Sequence, residues 1–292
     1  MKLYARDSVL DLSSIHVMGI LNMTPDSFFD GGKYNSSISK ALKHVNDMIG
    51  AGATIIDVGG ESTRPGASEI SVEEELDRVV PIVSAIASRF EIWISIDTSR
   101  PEVMRETAQS GVHLINDIRA LQLPGALQAA ADIKLPICLV HMQGQPKTMQ
   151  HAPIYKNIFM DIDNFFATRI ASCEKAGIKK NKLLIDPGFG FGKTVDHNYQ
   201  LLAHLTHLHH FGLPLLVGIS RKSMINQILQ VSPRKSLIGS ITGTIIAALQ
   251  GVHILRVHDV KATIEAMRII QVTLEQHKLP WIPDDIIFNV ND

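Results

Sequence analysis

The sequence predicts an α/β fold, a single (β/α)₈ barrel with its active site at the carboxyl-terminal rim of the strands. Eight short apolar runs alternate with longer segments of helical periodicity. Several of the runs are rich in Val and Ile, as buried parallel strands are. No linker or low-complexity segment divides the 292 residues. We therefore expect one domain over residues 1–292, with its barrel core at about 14–277.

The apolar runs give the expected strands, because each run is too short for a helix. We expect strands at Ile15–Leu21, Thr54–Val58, Ile92–Ile96, His113–Ile115, Ile137–Val140, Leu183–Ile185, Leu215–Val217 and His253–Val257. An open doubly wound sheet is the alternative fold. Its six or so strands would leave two of the runs without a role.

Segments of helical spacing separate the runs. We expect helices at Ser39–Ile49, Val72–Phe90, Pro101–Gln109, Ala126–Ile133, Asp161–Ala176, Asn198–His210, Lys222–Leu229, Lys235–Leu249 and Lys261–His277. Ser71 followed by Glu74 is typical of a capping box at a helix start. Glycines such as Gly111 and Gly177 stand where helices should end.

Composition excludes several classes of protein. Lys plus Arg is 28 and Asp plus Glu is 29, so the formal net charge is −1. This balance argues against non-specific nucleic-acid binding, which needs a basic face. No apolar run approaches the roughly 18 residues of a membrane span. The two cysteines, Cys138 and Cys173, do not form a disulfide framework, so we expect a cytoplasmic protein.

Polar residues stand at the end of every run. In a barrel these positions share one rim, where the active sites of this fold lie. Four of them, Asp97, Asn116, Asp186 and Lys222, offer hydrogen-bond donors and acceptors. Such a set suits the edge of a flat, nitrogen-rich heterocycle.

A second group comes from the first, second and last runs, which become neighbours when the barrel closes. It consists of Asn22, Thr63, Arg64, Arg256 and His258. Two guanidiniums with a hydroxyl, an amide and an imidazole suit a phosphate or diphosphate. The amide oxygen of Asn22 is also suited to Mg²⁺, which binds few protein oxygens together with substrate phosphates.

The loops after the first two runs are long and rich in glycine, which is typical of mobile lids. The segment Gly218–Lys222 leads into a helix. Its amide groups, with Ser220 and Arg221, could bind a second anion such as a carboxylate.

Two patterns resemble functional motifs without fulfilling them. Gly192-Lys193-Thr194 ends like a phosphate-binding loop, but the first glycine of that motif would stand at position 187, where Pro187 is found. The second pattern is a group of four histidines at 204, 207, 209 and 210. They lie on a helix away from the strand ends, so we expect a solvated face rather than a metal site.

The sequence resembles the dihydropteroate synthase family of pterin-binding TIM barrels from Val17 to Ala266. The order and spacing of five motifs carry this resemblance. They are Met18–Phe28, Asp57–Gly66, Leu184–Lys193, Gly218–Lys222 and Arg256–Val260.

The resemblance implies a reaction in folate biosynthesis that joins (7,8-dihydropterin-6-yl)methyl diphosphate to 4-aminobenzoate, with Mg²⁺ bound by Asn22. The implied pterin site is Asp97, Asn116, Met142, Asp186, Gly218 and Lys222. The implied diphosphate site is Asn22, Thr63, Arg64, Arg256 and His258. The implied aminobenzoate site, also the sulfonamide site, is Phe28, Thr63, Pro65, Phe191, Ser220, Arg221 and Lys222. The implied catalytic residues are Asp97, Asp186, Lys222, Arg256 and His258.

Two other hypotheses remain open at this point. One is a methyltransferase that passes a methyl group from methyltetrahydrofolate to a corrinoid protein, which would need no diphosphate cluster. The other is a non-catalytic pterin-binding paralogue, which should have lost lid residues, whereas Asn22, Thr63 and Arg64 are present. The family also suggests a homodimer. The apolar residues Ile241, Ile245, Ile246 and Leu249 could serve its interface or pack against the barrel.

Overall fold

A computed structural model describes residues 1–24, 34–61, 69–145, 149 and 153–276. It contains ten strands and nine α-helices within these residues. The strands are β1 (Lys2–Ala5), β2 (Ser8–Asp11), β3 (His16–Asn22), β4 (Ile55–Gly59), β5 (Trp93–Asp97), β6 (Leu114–Asp117), β7 (Ile137–Val140), β8 (Leu183–Asp186), β9 (Leu216–Val217) and β10 (Ile254–Val257). The helices are α1 (Tyr34–Gly50), α2 (Val72–Ala87), α3 (Pro101–Ser110), α4 (Ala126–Ile133), α5 (Ile158–Lys175), α6 (Val195–Ala203), α7 (Ser223–Leu229), α8 (Leu237–Leu249) and α9 (Val260–Gln276).

The strands β3 to β10 form a parallel barrel, as expected. Their order in the sheet is β8-β7-β6-β5-β4-β3-β10-β9, so strands from β3 to β8 pair in sequence order and β3 also pairs with the last strand, β10. A parallel bridge between Ile185 and Leu215 joins the two ends of the sheet. The alternative of an open doubly wound sheet is therefore wrong, because such a sheet leaves two edges unpaired and reverses its strand order.

Several strands extend beyond the apolar runs from which they were predicted. Several strands include the polar residue that follows the apolar run, for example Asn22, Asp97 and Asp186. Backbone pairing continues there because the ladder needs only N–H and C=O groups. Asp97 pairs with Asn116, and Asn22 pairs with Gly59. The parallel register therefore sets these polar side chains side by side at the rim.

The expected helices are present, with one division. The segment expected to be a single helix at 198–210 is α6 followed by a 3₁₀ segment, Leu205–Phe211. Ser71 is the N-cap of α2, and its side chain accepts a hydrogen bond from the backbone N–H of Glu74. Cys138 and Cys173 are free thiols and both are buried, which agrees with the expected absence of a disulfide between them. Among the described helices, none combines the length and the apolar character that crossing a membrane requires.

An antiparallel hairpin of β1 and β2 was not expected from the sequence. Its inward side chains Leu3, Ala5 and Leu10 are buried. The Nε1–H of Trp93 donates to Ser8 Oγ at 2.7 Å, and Arg6 Nε donates to the Val112 carbonyl at 3.0 Å. Both contacts lie at the amino ends of barrel strands. The hairpin therefore lies at the end of the barrel opposite to the rim where the polar residues meet.

The loop after β8 passes unusually close to the loop after β7. Gly188 has φ +68°, and a Cβ at this residue would lie 1.8 Å from the carbonyl oxygen of His141. Gly212 has φ +65°, but a Cβ there would meet nothing within 4 Å. The two glycines thus share a left-handed backbone and differ in their surroundings.

We expect Gly188→Ala to destabilise the fold much more than Gly212→Ala. The control should lose about 1–2 kcal/mol, the cost of a left-handed non-glycine residue. Gly188→Ala should lose about 2 kcal/mol more, because a backbone oxygen has to move. Urea denaturation of both variants measures the difference. Equal losses would show that the approach of the two loops is not tight.

Candidate active site

Arg256 lies at the centre of the barrel mouth and binds two carboxylates. From β10, its Nε donates to Asp57 Oδ2 at 2.6 Å and its Nη2 donates to Asp97 Oδ2 at 2.7 Å. Burial opposes the charge of this guanidinium, but the two carboxylates overcome that cost and raise the pKa of Arg256. The residue expected to bind an anion is therefore a permanent cation held by the fully buried Asp57 and the half-buried Asp97.

Asp57 was missed as a site residue because it lies inside a strand. The predicted site residues follow the ends of strands, whereas Asp57 is the third residue of β4. Its side chain is fully buried and also lies 3.4 Å from the Nδ2 of Asn116. A charged residue within an otherwise apolar strand is the signal that could have revealed it, since carboxylates are rarely buried without a partner.

Asp97 stands at the end of β5, as expected, and faces several other acids. Burial raises the pKa of its carboxyl group to about 7, while Arg256 opposes this rise and Asp57 adds to it. Beside it on β6, Asn116 is 3% exposed. The Oδ1 atoms of Asn116 and Asp57 are buried and have no hydrogen-bond partner among the described residues. Buried polar atoms are normally hydrogen-bonded, so these two unpaired oxygens indicate a place for the donor groups of a ligand.

Asp186 and Lys222 form the opposite side of the mouth. Asp186 Oδ1 accepts a hydrogen bond from Gly188 N–H at 2.7 Å, and burial raises the pKa of this carboxyl group while Lys222 opposes the rise. Lys222 donates to the carbonyl of Phe189, and its Nζ lies 4.4 Å from the ring centroid of Phe191. Burial lowers the pKa of Lys222 to about 8, an effect that Asp186 partly offsets.

A third set of contacts joins the loops after β9 and β10. Ser220 Oγ accepts a hydrogen bond from His258 N–H at 3.3 Å and lies 3.1 Å from His258 Nδ1. Arg221 forms a two-pronged ion pair with Asp259, from Nε at 3.1 Å and from Nη2 at 2.6 Å. The expected aminobenzoate residues Ser220 and Arg221 are thus held in place by the expected diphosphate loop.

Two glycines allow close approach to the mouth. A Cβ at Gly59 would lie 3.6 Å from Asn22 Oδ1 and 3.8 Å from Asp97 Oδ2. The amide oxygen and the carboxylate oxygen therefore face the same small space. A Cβ at Gly218 would lie 3.6 Å from Arg256 Cβ, so this glycine flanks the central guanidinium.

The structure brings most of the expected site residues to one rim. Met142 follows β7 and is half-buried. Four expected residues lie outside the described residues, namely Phe28, Thr63, Arg64 and Pro65. Most of the two expected lid loops, after β3 and after β4, also lies outside them. Their positions stay predictions.

Lys193 does not form a phosphate-binding loop, in agreement with the sequence argument. Its side chain is buried, and Nζ contacts the carbonyl oxygens of Gly188 at 2.9 Å and Phe191 at 3.2 Å. It also lies 2.9 Å from Nδ1 of His141. Burial lowers the pKa of Lys193 well below its ordinary value. Lys193 therefore stabilises the loop after β8 by binding two of its backbone carbonyl groups.

The comparisons with known proteins agree with this geometry. The family described as pterin binding enzyme matches residues 18–258. The dihydropteroate synthase of Escherichia coli (strain K12) is 65% identical over 274 residues, which is 94% of this chain and 97% of that protein.

Solved structures show the same likeness. A Yersinia pestis dihydropteroate synthase with a sulfonamide drug complex matches with a TM-score of 0.90 and 61% identity, over 94% of this chain and 100% of that one. A Xanthomonas albilineans dihydropteroate synthase with 4-aminobenzoic acid matches with a TM-score of 0.88 and 42% identity, over 96% and 99%.

The chain thus combines an eight-stranded parallel barrel that has polar groups at its mouth with a match to the family of pterin binding enzymes. The chain belongs to the dihydropteroate synthase family. These findings favour the first of the three sequence hypotheses over methyl transfer to a corrinoid protein and over a non-catalytic paralogue.

We expect Asp57→Asn to lower the free energy of unfolding by about 3 kcal/mol, because it removes one partner of a buried ion pair. The matched control is Asp47→Asn, since Asp47 is exposed on α1. That change should cost less than about 0.5 kcal/mol. Chemical denaturation measures both. A loss at Asp57 no larger than that of the control would contradict the buried network.

Proposed function

We propose that the barrel mouth joins (7,8-dihydropterin-6-yl)methyl diphosphate to 4-aminobenzoate, giving 7,8-dihydropteroate and diphosphate. The chain is a transferase of folate biosynthesis. The observation that carries the proposal is the meeting of Arg256 with Asp57 and Asp97 at one rim, beside Asp186 and Lys222. This rim offers a ring-binding side and a cationic side within one mouth.

The pterin ring is assigned to Asp97, Asn116, Met142, Asp186, Gly218 and Lys222. A pterin edge carries both N–H donors and acceptor atoms, so its site must supply carboxylates, an amide and an ammonium group. The unpartnered Oδ1 atoms of Asp57 and Asn116 support this assignment, because a ligand N–H would satisfy them. Asp57 is therefore added to the ring-binding set.

The diphosphate is assigned to Asn22, Thr63, Arg64, Arg256 and His258. A guanidinium has five N–H donors, so Arg256 can bind an anion while it holds two carboxylates. His258 is fixed by Ser220, which orients its ring at the same rim. The aminobenzoate is assigned to Phe28, Thr63, Pro65, Phe191, Ser220, Arg221 and Lys222.

The residues at the mouth fit a magnesium ion. Asn22 Oδ1 and Asp97 Oδ2 both face the space beside Gly59, and hard oxygen donors of this kind are the ligands that Mg²⁺ prefers. Asn22 would hold the ion together with oxygens of the diphosphate. Bound Mg²⁺ would supply Lewis-acid neutralisation of charge on the leaving diphosphate.

The chain's own residues account for the reaction by charge placement. The bond between the methylene carbon and the diphosphate oxygen breaks, and its electron pair leaves with the diphosphate. Arg256 and His258 stabilise the negative charge that develops there. Asp97 and Asp186 lie where they can stabilise the cation left on the pterin ring.

The second half of the reaction needs little activation. The arylamine nitrogen of 4-aminobenzoate forms the new bond to the methylene carbon and loses one proton to the released diphosphate. A free arylamine is already nucleophilic, so no Ser-His-Asp set is required, and we assign none. Phe191 lies beside Lys222, where an aromatic ring can stack on the incoming aminobenzoate. The expected lid loops after β3 and β4 would exclude water and so protect the cation from hydrolysis.

The further assignments are a homodimer and a cytoplasmic location. Ile238, Ile246 and Leu249 of α8 are exposed, as are Ile269 and Val272 of α9. Large exposed apolar side chains on two helices that contact each other favour a protein interface. A second copy of the chain packed on α8 and α9 would cover these side chains, whereas Ile241 and Ile245 of α8 are already half-buried.

We expect Arg256→Lys to lower the rate of diphosphate release at least about 100-fold, since a lysine cannot reproduce the planar fork that binds anion and carboxylates together. Arg234→Lys, at an exposed position, is the matched control and should keep full activity. The assay measures diphosphate release with each substrate alone and with both, with and without Mg²⁺. Release that needs neither 4-aminobenzoate nor Mg²⁺, or an active Arg256→Lys variant, would refute the proposal.

We expect pterin affinity to fall as the pH drops from about 8 to 6. The pKa of Asp97 is raised to about 7, so its carboxylate gains a proton below that pH and can no longer accept two hydrogen bonds. The loss should approach tenfold per pH unit below 7. Calorimetric titration of a pterin at several pH values measures it. Asp97→Asn should bind weakly and with a flat profile, and an unchanged slope in this variant would assign the titration to another group.

A further inference from the structure

Three metal-ligating side chains meet on the outer surface, away from the barrel mouth. Asp163 lies on α5, and His207 and His210 lie on the 3₁₀ segment Leu205–Phe211. One ligand atom from each lies within 4.8 Å of the others. The two histidines are 42% and 49% exposed in their side chains, as the sequence analysis expected. The tertiary structure brings Asp163, which is remote in sequence, next to these two histidines.

The separations of the ligand atoms suit a single small cation. His207 Nε2 lies 2.8 Å from Asp163 Oδ2, and His210 Nε2 lies 3.8 Å from Asp163 Oδ1. Zinc bonds to nitrogen and oxygen are about 2.0–2.2 Å, which puts tetrahedral ligand atoms about 3.3 Å apart. The two observed separations fall on either side of that value. Small side-chain rotations would therefore bring the three ligand atoms to these separations, and a water molecule would supply the fourth ligand.

A second hydrogen bond fixes the tautomer of His210. Its Nδ1 lies 2.6 Å from the carbonyl oxygen of His207. A carbonyl only accepts, so this nitrogen carries the proton, and in the neutral ring Nε2 then presents a lone pair to Asp163. Metal-binding histidines are oriented by the same kind of contact. Asp163 Oδ1 is buried and has no hydrogen-bond partner among the described residues.

Two acceptor atoms that face one another repel unless a hydrogen-bond donor or a cation lies between them. A metal ion can bond to both atoms at once. The ring of Phe159 packs at an angle of 64° against His207, with ring centroids 5.5 Å apart, and so restrains its orientation. A restrained pair of imidazoles with a carboxylate is a donor set that favours zinc-like ions, whereas Mg²⁺ prefers oxygen ligands.

We propose that Asp163, His207 and His210 bind one divalent transition-metal ion of the zinc class. The ion ties α5 to the 3₁₀ segment before β9. It is distinct from the Mg²⁺ assigned to the mouth, because its donor set is rich in nitrogen and lies on the helical layer. Its expected effect is on stability, since an ion that binds only the folded chain stabilises it by mass action.

The test is a titration of the full chain, freed of metal with a chelator, with Co²⁺ in the presence of excess Mg²⁺. We expect one Co²⁺ per chain with visible absorption typical of nitrogen and oxygen ligands. His210→Gln and Asp163→Asn should each weaken binding at least about tenfold. His204→Gln is the matched control, because His204 is exposed near the cluster but contributes no ligand atom. Its affinity should stay within about twofold of the unmodified chain.

Thermal denaturation with Zn²⁺ provides a second readout. Zn²⁺ should raise the Tm of the unmodified chain and of His204→Gln, and leave that of His210→Gln unchanged. Diphosphate release by His210→Gln should equal that of the unmodified chain, which separates this site from the proposed function. Less than one Co²⁺ per chain, or an equal loss of affinity in His204→Gln and His210→Gln, would overturn the proposal.

Discussion

The pairing of Arg256 with Asp57 and Asp97 is the interaction on which the mouth of the barrel depends. A buried guanidinium is costly unless its charge is matched, and these carboxylates match it from β4 and β5. The strand β3 lies between β4 and β10 in the sheet. The ion pairs therefore span the mouth rather than join adjacent strands, and Asn116 extends them to β6.

The same network brings an acid and a base to similar pKa values. Asp97 and Lys222 have ordinary pKa values of 3.8 and 10.5, and here burial moves them to about 7 and about 8. Both groups can therefore change protonation near neutral pH with small changes in their surroundings. A mouth of this kind can adapt its donors and acceptors to a ring whose own charge changes during a reaction.

The scaffold beneath the mouth is rigid where the chemistry needs it. Lys193 and the close approach of Gly188 to His141 hold the loop that carries Phe189 and Phe191. The hairpin of β1 and β2 packs at the far end of the barrel. Stability and chemistry are thereby placed at opposite ends of the strands, as is usual in this fold.

The sequence by itself determined the strand-helix alternation and the presence of Asp97, Asn116 and Asp186 at one rim, because parallel strands end at a common edge. Only the tertiary structure decided which groups meet across that rim. Asp57 lies within a strand, and its partner Arg256 is 199 residues away. Contacts between side chains on distant elements depend on barrel closure and side-chain direction, which local periodicity does not encode. For the same reason, the sequence did not predict that Asp163 lies beside two surface histidines.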